Sequence, residues 1–183
     1  MDLWWQQIWT TVNEEFSDLT DLKDLKDLTR VTLRLLVAAL LGALVGYDRE
    51  ARNKSAGLRT HMLVALGSAI FILTPLQADM TLGNFSRVLQ GVIAGIGFLG
   101  AGAILKLQRD EEIQGLTMAA TAATAATAAS IWITAAIGIA AGMGREMTAT
   151  LSAAITLFVL SSRYQLEAVV AARKRREGHE AHE

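Results

Sequence analysis

The sequence predicts an all-α integral membrane protein: five transmembrane helices preceded by an N-terminal amphipathic helix. Two observations carry this. Hydrophobic residues make up 52% of the 183 positions and charged residues 19%. They are segregated, with the apolar residues in long blocks and the charges between them, as expected of a chain whose solvent is lipid. The segments between blocks also alternate in basic charge, which a chain threading back and forth across a bilayer should show. The mean hydropathy is +0.34.

The first segment, residues 1–30, is read as amphipathic and interfacial. Trp5, Ile8, Trp9, Val12, Phe16 and Leu19 recur at helical spacing. Tryptophans clustered near one end suit a membrane–water interface. A helix packed on the outer ends of the spans satisfies the same pattern, and both readings stand. Residues 1–30 carry seven acids against three bases, and the first charged side chain is Asp2. Without a basic n-region this is not read as a secretory signal. The run "DLTDLKDLKDLT", Asp18 to Thr29, repeats leucine every three residues. That period drifts around a helix of period 3.6, and no chemistry is assigned to it.

Residues 31–162 form the membrane domain. Its apolar spans run from Val31 to Tyr47, Thr60 to Leu76, Val88 to Leu107, Leu116 to Ala141 and Met147 to Ser162. A crossing helix needs ~20 residues. The first, second and fifth spans are short and borrow flanking residues, with Arg34 expected to snorkel to the interface. Arg49, Arg52, Lys54 and Arg59 lie between spans one and two, and Lys106 and Arg109 between three and four. Only Arg87 and Arg145 lie in the alternate loops. The positive-inside rule then puts the N-terminus outside and the C-terminus in the cytoplasm. Residues 163–183 are a basic, then polar, cytoplasmic tail.

Small residues set the expected packing. Gly42 and Gly46, Gly91 and Gly95, and Gly138 and Gly142 are small-xxx-small pairs, which let helix backbones approach closely in lipid. The third span adds Gly97, Gly100 and Gly102. It is therefore expected at the centre of the bundle, and these glycine faces predict a homo-oligomer. Gly95, Gly97 and Gly100 spell G-x-G-x-x-G, but inside an uncharged apolar run rather than between a strand and a helix. A dinucleotide site is rejected.

Little else carries chemistry. No span holds an acid near its middle, which argues against a relay of buried carboxylates. With no cysteine there is no disulfide and no thiolate metal site. No HExxH, GxSxG or Walker A motif occurs. The histidines are His61, His179 and His182, the last two in the tail. The chain is read as a non-enzyme without a cofactor. Its net charge of −1 implies no nucleic-acid partner.

The charged cluster that stands out is "GYDREARNKSAGLRTH", Gly46 to His61. One reading is a solvated loop with interfacial anchors. The other is a polar site capping the bundle. In it, Asp48 and Glu50 pair with Arg59 or hold a hard cation such as Mg²⁺ through oxygen ligands.

This loop, with "GVIAGIGFLGAGAILK", "IQGLT" and "SIWITAAIGIAAGMG", resembles the MgtC/SapB family of bacterial inner-membrane proteins. The matching blocks occur in order over about residues 32–160. Tyr47-Asp48 stands where many members have an aliphatic residue and glutamate. The resemblance implies a five-span domain with its N-terminus outside, of the short SapB-like type without a C-terminal cytoplasmic domain. It also implies a link to growth under magnesium limitation and, in pathogens, to survival in host cells. Two roles are implied: regulation of another inner-membrane complex, or transport of Mg²⁺ or another small ion. By resemblance the functional positions are Asp48, Arg49, Glu50, Lys54, Gly57, Arg59 and Thr60, with Gly57 expected to give a tight turn.

Against the resemblance one stretch is anomalous. "TMAATAATAATAAS", Thr117 to Ser130, separates Gly-Leu-Thr from Ser-Ile-Trp by nearly ten residues, where relatives join them almost at once. Thr121 to Ala129, with Thr121, Thr124 and Thr127, reads as a nine-residue insertion of three triplets. Nine residues add roughly 13.5 Å to a helix and turn its ends by about half a turn. Either the helix is merely longer, or the tract spoils the packing of the span. On the second reading, which is favoured, the chain lacking Thr121 to Ala129 is expected to be the more heat-stable.

Overall fold

A computed structural model of the chain describes residues 3–18, 22–111 and 118–162. These residues form six helices: α1 (Leu3–Asp18), α2 (Leu22–Ala51), α3 (Leu58–Gln77), α4 (Leu82–Glu111), α5 (Met118–Gly142) and α6 (Glu146–Ser162). Three of them stop where the chain turns into left-handed backbone. Asn53 (φ 52°), Asp79 (φ 47°) and Gly144 (φ 72°) follow α2, α3 and α5. At each, paired backbone bonds run back into the last turn. Asn53 N–H donates to Glu50 O (2.9 Å) and Lys54 N–H to Arg49 O (3.1 Å); Gly144 N–H donates to Ala141 O and Arg145 N–H to Ala140 O, both 2.9 Å. This double closure satisfies carbonyls that a helix end leaves bare.

The protein is all-α among its described residues and is a membrane protein. Four segments are long and apolar enough to cross a bilayer: Leu25–Ala51, Leu58–Gln77, Leu82–Ile104 and Thr124–Gly142. The fifth expected span corresponds to α6, which is shorter: 17 residues, or roughly 25 Å against a ~30 Å hydrocarbon core. The expected tail, residues 163–183, and the "IQGLT" block lie outside the described residues.

Which helix sits at the centre differs from the expectation. A Cβ at Gly42 would lie 2.7 Å from His61 O and 2.8 Å from Ala65 Cβ, and one at Gly46 2.7 Å from Leu58 Cα. A Cβ at Gly142 would lie 2.7 Å from Ala69 O, and one at Gly138 would collide with Ala65 O. The Gly42/Gly46 and Gly138/Gly142 pairs therefore both close on α3, along the stripe from Leu58 through His61 and Ala65 to Ala69. α3 and α5, not the glycine-rich α4, are the central pair. Gly91, Gly95, Gly97 and Gly102 meet nothing within 4 Å; only Gly100 has a neighbour, Ala128 Cβ at 3.7 Å. The apolar window of α4 is 11% buried against 50% for that of α5. Glycine content gave α4 the face for close packing, but the small residues of α5 match those of α3 and take the inner place.

The core this builds is rich in alanine. Ala38, Leu41 and Val45 of α2 meet Ala65 and Ala69 of α3, Ile137 and Ala141 of α5, and Ala149 and Ala153 of α6. Short side chains at these crossings are what allow the backbones to touch. Arg34 does not simply snorkel: its Nη1 donates to Gly142 O (3.4 Å) at the C-terminal end of α5, where a cation meets the bare carbonyls. In α1, Trp4, Trp5, Ile8, Trp9 and Val12 are all exposed, and the two neighbouring indoles stack with centroids 4.3 Å apart.

Through the triplet tract α5 is one unbroken helix. Its alanines favour this conformation.

Candidate functional site

The loop between α2 and α3 brings most of the predicted polar residues to one end of the bundle, but gives them separate tasks. Asp48 and Glu50 are two residues apart on a helix, so they point roughly 200° apart. Asp48 Oδ1 accepts from Arg52 Nε (2.9 Å) and Nη2 (2.6 Å), one turn on. The partner is Arg52 rather than Arg59. Asp48 Oδ2 is buried and accepts no hydrogen bond.

Glu50 turns the other way. Its Oε2 accepts from Leu58 N–H at 2.8 Å, the first residue of α3. That helix has no side-chain cap of its own, because its N-cap is Gly57. A carboxylate there satisfies an orphan donor and faces the positive end of the helix dipole. Gly57 is not the tight turn expected of it, since its φ is −107°. Its lack of a side chain serves clearance: a Cβ would lie 2.7 Å from Glu50 Oε2. Lys54 is half-buried in the loop, while Arg59 and Thr60 are exposed at the start of α3. Glu50, Gly57, Leu58, Arg59 and Thr60 line a shallow hollow of about 450 Å³.

Behind this loop lies a buried polar layer. Arg49 is only 4% exposed, and its Nη2 donates to Thr127 Oγ1 at 2.6 Å. His61 is fully buried. Its Nδ1 lies 2.9 Å from Gly57 O; a carbonyl only accepts, so that nitrogen carries the proton. Its Nε2 lies 3.2 Å from Ser130 Oγ. The Ser130 hydroxyl also reaches Thr127 O at 2.8 Å, so it has two acceptors to choose between. Thr124, Thr127, Ser130 and Thr134 are all buried, and they form a hydroxyl edge on α5. Arg49 and His61 face it from α2 and α3.

Two features were not anticipated from sequence: His61 and Ser130 as a pair, and Thr127 as the partner of Arg49. Thr127, Ser130 and Thr134 recur at i, i+3 and i+7, a single helix face, and that was the available signal. The two threonines of the tract that the structure describes are therefore built into the core. The side chain of Thr121 lies outside the described residues.

The two carboxylates do not converge on one point of the loop. Asp48 and Glu50 diverge, and each already holds a donor. Among the described residues no group of three His, Cys, Asp or Glu side chains gathers to hold a metal.

Comparison with known proteins follows the same segment. The MgtC family profile matches residues 35–169. SrpB of Synechococcus elongatus is 40% identical over 150 residues, covering 76% of this chain and 78% of SrpB. YhiD of Escherichia coli K12, described provisionally as a magnesium transporter, is 39% identical over 141 residues. The match takes in 73% of this chain and 60% of YhiD. MgtC of Salmonella typhimurium is 39% identical over 125 residues, 68% of this chain but 48% of MgtC. The chain thus spans about half to three-fifths of the length of the latter two. No solved structure matches.

Proposed function

The chain belongs to the MgtC family, and from that premise we propose that it serves magnesium homeostasis in the bacterial inner membrane, as a non-enzymatic regulator of another membrane complex. The magnesium link rests on the family and on the description of YhiD. The choice of regulator over carrier is supported by one observation. The two carboxylates best placed to meet a cation at the loop are engaged in holding the fold, Glu50 on Leu58 N–H and Asp48 on Arg52. The open glycine face of α4 supports contact with a partner helix or a second copy.

The topology goes with this reading: five crossings, N-terminus outside, α6 completing the set. The chain has no cysteine, so single cysteines report cleanly. Asn53→Cys should be labelled only from the cytoplasm and Asp79→Cys only from outside; the reverse pattern refutes the orientation.

The functional experiment is growth at limiting magnesium in a host lacking its own copy. Rescue by this chain, with no Mg²⁺ flux through the pure protein in proteoliposomes, is the expected result. Flux without partners makes it a transporter instead. Failure to rescue despite expression removes the magnesium role.

A further inference from the structure

Two structural anchors fix the register of α5 on its C-terminal side. Gly138 and Gly142 are seated on the backbone of Ala65 and Ala69, and Ser130 Oγ faces His61 Nε2. Neither contact can slide without lifting α5 off α3. Positions in the tract are therefore set by counting back from Ser130. Three residues back is Thr127, which receives Arg49 Nη2; six back is Thr124, also buried. Ala128, two back, lies against Gly100 of α4.

The repeat makes this count degenerate. Each triplet is identical, so removing one leaves threonine three and six residues before Ser130 and alanine two before it. The eight positions before Ser130 are unchanged, and Met118 takes the place of Thr121 at nine back. Only the far end of the helix moves, by roughly 4.5 Å and about 60° per triplet. Removing two triplets keeps threonine three back but brings Met118 to six back. Removing all three, Thr121 to Ala129, brings Met118 to three back, opposite Arg49.

We infer that the tract is a register-preserving spacer: whole triplets can be lost or gained beside α4 while a threonine hydroxyl still meets the Arg49 guanidinium, until loss of the last repeat puts a methionine there. Loss of one triplet is then silent at these buried positions; loss of two puts methionine in place of buried Thr124, and loss of three puts it opposite Arg49. This reverses the expectation that the chain without Thr121 to Ala129 is the more stable. The inference concerns folding and does not depend on the magnesium role.

Two nine-residue deletions give a sharp test, because their products differ at one position. Removing residues 121–129 leaves Thr-Met-Ala-Ala-Ser, and removing residues 118–126 leaves Thr-Thr-Ala-Ala-Ser. Both are melted in one detergent beside the full chain and the chain without residues 121–123. The one-triplet deletion should melt with the full chain. The product keeping threonine should melt several degrees above the product with methionine. Arg49→Met should lower the Tm of the full chain but not that of the methionine product. Equal melting of the two nine-residue deletions overturns the inference. If neither can be purified, Thr127→Met in the full chain decides: it should melt below Thr121→Met, and equal melting again overturns the inference.

Discussion

Adding one methyl group at Gly138 tests whether α3 is the helix on which the others close. A Cβ there would sit 2.8 Å from both Cα and the carbonyl carbon of Ala65, and nearer still to the oxygen. Carbon atoms settle at ~3.5–4.0 Å. The obstacles are backbone, so no rotamer change relieves them, and α3 and α5 must part by roughly 1 Å. Overpacking of this kind costs ~1–3 kcal/mol. The upper end applies where both walls are main chain, and the helix preference for alanine over glycine offsets ~1 kcal/mol of it. Gly138→Ala should therefore lose about 2 kcal/mol net. Gly91→Ala is the control: nothing lies within 4 Å of its Cβ, so it should keep the helix gain of ~0.8–1.0 kcal/mol. Thermal melting of the two variants and the parent in one detergent reads the difference. A Gly138→Ala protein that melts at or above the parent refutes the central placement of α3. A Gly91→Ala protein that melts below Gly138→Ala refutes the exposed placement of α4.

Glu50→Ala should cost ~1 kcal/mol, the usual value of a lost helix cap, and should speed amide exchange at Leu58; unchanged exchange there refutes the capping role. Gly57→Ala should cost less than Gly138→Ala, because its Cβ meets the end of a flexible carboxylate rather than backbone. Ser130→Ala removes the hydroxyl facing His61 Nε2 and should cost ~1 kcal/mol. Ser68→Ala should be neutral or stabilising, since the buried Ser68 Oγ has no partner to lose; melting both variants checks the contrast. Asp48→Asn keeps the shape and loses the charge. With the Asp48 and Arg52 side chains only 18% and 25% exposed, the loss should be about 1 kcal/mol and shrink only slightly as salt is raised.

Much of the fold was legible in the sequence, for a physical reason. A segment in lipid must satisfy its own backbone groups, so a long apolar block has few choices besides helix. The positions of α2, α3, α4 and α5 follow from that, and each begins and ends within a few residues of a charged or loop-forming segment. Which helix is innermost was less legible. Close packing needs small residues on both helices at matched heights. Gly91 and Gly95 satisfy the first condition alone, whereas Gly138 and Gly142 also find Ala65 and Ala69 opposite them. A count of glycines along one helix carries no information about what lies across from it. The loop showed the same limit. Its residue types announced a polar cluster, but the two-residue step between Asp48 and Glu50 already sends them to opposite sides of α2. The partner of Asp48 is the local i+4 residue Arg52, whereas that of Glu50, the first amide of α3, depends on how the chain reverses at Asn53.

The placement of these side chains changes how loss-of-function variants at the loop are to be read. Glu50 holds the start of α3, and His61 and Arg49 tie α3 and α2 to the hydroxyl edge of α5. Alanine at any of them disturbs the end of the helix that the other two clamp. Such a variant loses activity whether the protein carries an ion or regulates a partner, because the bundle is altered in both cases. The informative positions are those that touch the loop without supporting it. Arg59 and Thr60 are exposed beside the hollow at the start of α3. Arg59→Ala should leave the Tm unchanged. Growth at limiting magnesium with the purified protein still melting normally then reads the loop surface itself. If Arg59→Ala rescues growth as fully as the parent chain, that surface is not where a partner or an ion is met, and the open face of α4 becomes the place to look.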